Sequence, residues 1–231
     1  MEERYFHLLP HHGKIMVEKI ERYASLPVYV GQLTRDLSHQ MNTPVDVPSA
    51  WVNEEQAGIC FPNLDQIDES SFLHELLHIY LNWVKKAVCF RHARHPFMSD
   101  ELNAFNNDCQ HLWVIPKEIE ICGLREEHWR KSYASTRGIE TINKHYRPIV
   151  VSRYALLHHT IFGEHKVWDQ WISDLGLKRT IRKAIEVTER HGSTNYNKMA
   201  NMLLEIVFPN QIVRDLVKTH IDIQSRQRIT S

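Results

Sequence analysis

Apolar side chains recur at helical spacing over residues 12–24, where Met16, Val17, Ile20 and Tyr23 are interleaved with Lys14, Glu18, Lys19 and Glu21. That pattern predicts an amphipathic first helix. Pro27 then opens a short strand over residues 28–31, and residues 33–41 read as a second helix stopped by the turn signal Asn42-Thr43-Pro44. Two extended runs, 45–52 and 57–62, flank the polar turn Asn53-Glu54-Glu55-Gln56 and predict a β-hairpin whose ends Pro48 and Pro62 confine to edge positions. A central helix follows over residues 67–88, with Leu73, Leu76, Leu77, Tyr80, Val84 and Val88 as its apolar stripe and Asp65 or Asp68 as its N-cap.

Residues 89–96 read as a basic loop carrying Arg91, His92, Arg94 and His95. The next helix starts at Ser99, an N-cap with Asp100 and Glu101 in its first turn, and closes before Pro116. Beyond it, 125–134 reads as a charged helix and 135–147 as a polar linker. Residues 148–162 form a buried helix, and 167–175, 178–191, 196–207 and 211–221 all show helical periodicity before a polar tail. The fold expected is α+β. A small domain over residues 1–130 holds a short antiparallel sheet and the two central helices, and a mostly helical subdomain covers residues 131–231.

With 42% hydrophobic residues, 8 glycines and 9 prolines, the composition is that of an ordinary helix-rich globular protein. The formal net charge is +0, which argues against a constitutive nucleic-acid binder. The basic run Lys178, Arg179, Arg182 and Lys183 then reads as a solvated helix face. Cys60, Cys89, Cys109 and Cys122 stand singly, without a disulfide framework or a cysteine zinc pattern. The start Met-Glu-Glu-Arg-Tyr-Phe-His lacks the charge and apolar core of a signal peptide, and no run reaches the length of a membrane span. A reduced, cytoplasmic protein without membrane association is the expectation.

The chemistry concentrates on His74-Glu75-Leu76-Leu77-His78 in the central helix. Histidines four apart on a helix share one face, so both imidazoles can reach one metal ion, and the intervening glutamate is placed to polarise a metal-bound water. A catalytic zinc needs a third protein ligand. Glu101, Asp108 and His111 lie at i, i+7 and i+10 on one side of the following helix, and each qualifies. His158, His159 and Tyr154 are candidates for stabilising an oxyanion, against the plainer reading of packed side chains.

The HExxH helix followed by a helix with Glu101, Asn103 and Phe105 and ending in Val114-Ile115-Pro116 resembles the ImmA/IrrE-like metallopeptidases, compact relatives of the gluzincins. The resemblance covers roughly residues 12 to 120. It implies a zincin-like domain with zinc held by His74, His78 and Glu101, and Glu75 as the base that activates the zinc-bound water. It also implies hydrolysis of a peptide bond in a narrow protein or peptide target, in a regulatory or stress setting. The hairpin strand 57–61 is then expected to hold the substrate. The chain departs from the family pattern at Leu102, which stands in place of an alanine. The run from Phe105 to Pro116 is also about one turn too long, and Asn107-Asp108-x-x-His111 has no place in the pattern. His111 and Asp108 therefore stay open as third ligand or as partners that orient a ligand. The alternative function is a zinc-containing binding or regulatory protein with a vestigial peptidase site.

Overall fold

In the computed structural model of the chain, which describes residues 1–41, 44–53, 55–92, 97–123, 126–133, 136, 138–208 and 216–219, the amphipathic first pattern folds as α2 (His11–Ala24) behind a short α1 (Glu3–Phe6). Strand β1 (Val28–Gln32), helix α3 (Arg35–Met41), strands β2 (Ser49–Val52) and β3 (Ala57–Phe61) and helix α4 (Glu69–Trp83) follow. The chain divides into two compact units: Met1–Ala87 with Glu120–Cys122, and Val88–Ile119 with Gly123–Thr219.

The first unit is built on a sheet of order β1-β3-β2. The hairpin forms as expected: β2 runs antiparallel to β3 with Ala50 opposite Ile59, and the Asn53 side chain accepts from the backbone of Glu55 and Gln56 to close the turn. The sheet is nevertheless mixed, because β1 joins the other side of β3 in parallel, with Val28 opposite Ala57. Strand β3 is therefore paired along both edges, which corrects its expected role. With both ladders filled it cannot accept a substrate strand, and the edges are β1 and β2. A Cβ at Gly58 would come to 2.5 Å from the Trp51 indole lying across it, so any larger residue here must displace that ring.

One sheet face contributes Val28, Ala57, Ile59 and Phe61 to a core with Val17 and Ile20 of α2 and Phe72, Leu76, Ile79 and Trp83 of α4. Helix α4 is shorter than its hydrophobic run. It starts where the Asp68 carboxylate accepts from the Ser71 N–H at 2.8 Å, an N-cap interaction. It ends at Trp83, whose indole N–H is held by the Asn53 carbonyl at 2.9 Å.

The second unit corrects three expectations. Cys89–His92 is strand β4, not loop. It pairs antiparallel with β5 (Leu216–Thr219), a segment expected to be helical. Residues 93–96 and 211–215 lie outside the described residues. Helix α5 (Phe97–Ile121) begins before Ser99 and runs through Pro116. Proline in a helix interior costs ~3 kcal/mol in a lost hydrogen bond and a steric clash. Burial of Val114, Ile115 and Glu118 on either side of it, with Glu118 accepting from the Trp129 indole at 3.0 Å, offsets that cost. The remaining helices are α6 (Glu126–Tyr133), α7 (Arg147–Phe162), α8 (Asp169–Asp174), α9 (Lys178–His191) and α10 (Tyr196–Val207). Val150, Val151 and Ala155 of α7 pack with Trp168, Ile172 and Ile181. Among the described residues no helix is long and apolar enough to cross a membrane.

Candidate metal centre

Helix α4 is buried on most of its circumference: Leu73, Leu76, Leu77 and Ile79 are fully enclosed, and His74 and His78 retain only 6% and 8% of their exposure. Apolar neighbours hold the two histidines while the helical repeat stacks them, with ring centroids 4.9 Å apart. Their Nε2 atoms face each other at 3.2 Å. Without an ion, that separation suits an N–H···N bond in which one imidazole donates. Two nitrogens on one tetrahedral ion at ~2.0–2.1 Å would lie ~3.3 Å apart, so the separation is also compatible with both imidazoles sharing one metal ion. Asn82 donates to the His78 carbonyl at 2.9 Å and steadies the last turn of the pair.

Glu75 lies half-buried on the same helix, and its Oε2 accepts the backbone N–H of Ala50 at 2.6 Å. Ala50 belongs to the edge strand β2, so the carboxylate is held against the sheet edge by a charge-assisted bond. The first unit thus brings together His74, His78 and Glu75.

The second unit places the third-ligand candidates in two different surroundings. Asp108 and Glu101 converge on Arg153 of α7: Arg153 Nε donates to Asp108 Oδ2 at 2.6 Å and Nη1 to Glu101 Oε2 at 3.3 Å. Burial pushes the Asp108 carboxyl above its usual range, and the adjacent guanidinium pulls against that shift. His111 meets a different side chain. Its Nδ1 meets the Tyr133 phenol oxygen at 3.0 Å, and its ring packs beside Trp129 at 5.8 Å. Burial, then the nearby Asp108, keeps Tyr133 a neutral phenol. A phenol oxygen accepting from Nδ1–H would fix the tautomer in which Nε2 carries the lone pair.

Arg153 and Tyr133 had no place in the sequence reading. For Arg153 a signal existed: a lone arginine among Ile149, Val150, Val151, Ala155, Leu156 and Leu157 must be buried with a carboxylate partner or disrupt the helix. His158 is buried, donating Nδ1–H to the Glu164 carbonyl at 2.6 Å, and so reads as a packed residue rather than an oxyanion donor.

The comparisons with known proteins add no relative: no protein-family model, no curated protein and no solved structure matches the chain.

Proposed function

We propose that the chain is a zinc-dependent peptidase in which His74, His78 and His111 hold the metal and Glu75 is the general base. The observation that carries this reading is the facing pair of Nε2 atoms at 3.2 Å with a tethered carboxylate one residue along the same helix. His111 is preferred to Glu101 because a guanidinium 3.3 Å from the Glu101 carboxylate opposes a second positive charge there, and Asp108 is engaged more closely still. The set departs from the histidine-histidine-glutamate pattern of the gluzincins and makes the centre a three-histidine zincin.

When bound, zinc supplies Lewis acidity toward the attacking water and the scissile carbonyl. Glu75 takes up the proton of that water and returns it to the leaving amine. An extended protein or peptide substrate would lie along the outer edge of β2, where the Ala50 N–H holds the base. The ImmA/IrrE-like resemblance favours a narrow regulatory or stress-related target. Cys60, Cys89, Cys109 and Cys122 are thiols and not disulfides, in keeping with a reducing, cytoplasmic setting.

Glu75→Gln is the direct test. It should retain zinc at the level of the parent chain and lower peptide hydrolysis by roughly 10²–10⁴-fold, the range general-base catalysis contributes. If the biological effect of the protein survives this substitution, the chain acts as a zinc-containing binding protein and the peptidase reading fails. The Tyr133→Phe variant reports on His111 separately. It should weaken zinc by ~10–100-fold in a chelator competition while leaving the unfolding midpoint close to that of the parent.

A further inference from the structure

A second pair of histidines repeats the geometry of the first, and the peptidase reading has no use for it. His159 stands in the last turn of α7 and His165 just before the 3-10 turn Lys166–Trp168, across a reversal made by Gly163 at φ 73°. Their Nδ1 atoms face each other at 3.1 Å, with ring centroids 5.2 Å apart. The other nitrogen of His165, Nε2, lies 3.6 Å from Asp169 Oδ1. A carboxylate on the far nitrogen of an imidazole fixes the proton there and turns the lone pair of the near nitrogen toward a metal. At 3.6 Å the Asp169 carboxylate makes no hydrogen bond, but its charge favours a proton on Nε2, the tautomer in which His165 presents Nδ1 as an acceptor toward His159.

Three further features favour a cation between the rings. The separation falls within the ~2.9–3.4 Å expected for two nitrogens cis on one ion at ~2.0–2.1 Å. The pair lies at the C-terminus of a 16-residue helix, the negative end of its dipole. Glu189 of α9 contributes negative charge nearby. His165 is 31% exposed and Asp169 62%, so water can complete the coordination.

We infer that His159 and His165 form a second divalent-metal site, for a borderline ion such as Zn²⁺, Ni²⁺ or Cu²⁺, oriented by Asp169 and pinning the end of α7 to the segment that follows it. The inference is independent of the peptidase reading, and the test is run where that reading has no influence. Zn²⁺ is titrated into the metal-free full-length chain carrying His78→Ala, in competition with a zinc-responsive dye. One equivalent should bind, with a dissociation constant on the order of 10 µM for two imidazole ligands. Adding His159→Ala should weaken that equivalent at least ~30-fold, and adding Asp169→Asn by about 10-fold. Circular dichroism checks each fold. Should His159→Ala misfold, His165→Ala, at a position outside the helix, must give the same loss. If the His78→Ala chain takes up no zinc at 100 µM, or if the equivalent survives His165→Ala, the facing rings share only a proton and the site does not exist.

Discussion

His78→Ala should leave the chain unable to retain zinc through a chelating column, while His12→Ala, on the exposed start of α2, should change nothing. The expected size follows from the ligand set. Apparent zinc free energies of ~10–16 kcal/mol in four-ligand protein sites amount to ~3–4 kcal/mol per ligand, so deleting one histidine costs a few hundred- to a thousandfold in affinity. The deletion also removes the Nε2 that faces His74 at 3.2 Å. A pair of ligands on one helix face is more preorganised than two on separate loops, so the partner cannot compensate. The same measurement decides the third ligand. His111→Ala should show a loss of similar size, whereas Glu101→Gln should keep zinc. The opposite pattern would return the centre to the gluzincin type. Zinc retained at parental affinity by His78→Ala would remove the metal centre from α4 altogether.

What could be read from the sequence was whatever local spacing dictates. The i, i+4 repeat alone puts His74 and His78 on one face, and Asp68 announces the start of α4 because an Asp before an apolar run caps a helix. The hairpin was legible for the same reason, since Asn53 closes its own turn. Features that depend on remote partners were not. Leu216-Val217-Lys218-Thr219 sits in a run of helical periodicity and becomes a strand only because Cys89–His92 offers it a ladder. The parallel strand β1 fills the side of β3 that the hairpin left open, and nothing within residues 28–32 specifies that choice. The third-ligand question was open for the same reason. Glu101, Asp108 and His111 are equivalent by helical geometry. They differ only through Arg153, which reaches Asp108 across 45 residues and Glu101 across 52, and through Tyr133, which reaches His111 across 22.

Arg153→Met should strongly destabilise the second unit. The methionine keeps the aliphatic length of arginine but removes the guanidinium, whose side chain is 7% exposed, from Asp108, whose side chain is 11% exposed. Breaking a buried pair from one side costs ~3–5 kcal/mol, because the remaining charge is left in a poor solvent. At neutral pH that deficit should appear as a lower urea midpoint. The sign of its pH dependence follows from the carboxyl. Burial raises Asp108 above its ordinary value and Arg153 opposes the rise, so removing Arg153 lets the folded-state pKa climb further. Between the ordinary carboxylate value and that raised one, the folded chain keeps a proton that the unfolded chain has lost. Stability therefore falls as pH rises through this window, and the deficit shrinks again on acidification. Adding Asp108→Asn should recover much of the loss at neutral pH, since the orphaned charge is gone and Glu101, the partner at 3.3 Å, is 23% exposed and can be solvated. A deficit of equal size at pH 4 and pH 8, untouched by Asp108→Asn, would mean that Arg153 supports the fold through its packing and not by neutralising Asp108. The electrostatic reason for preferring His111 over the two carboxylates would then lose its footing.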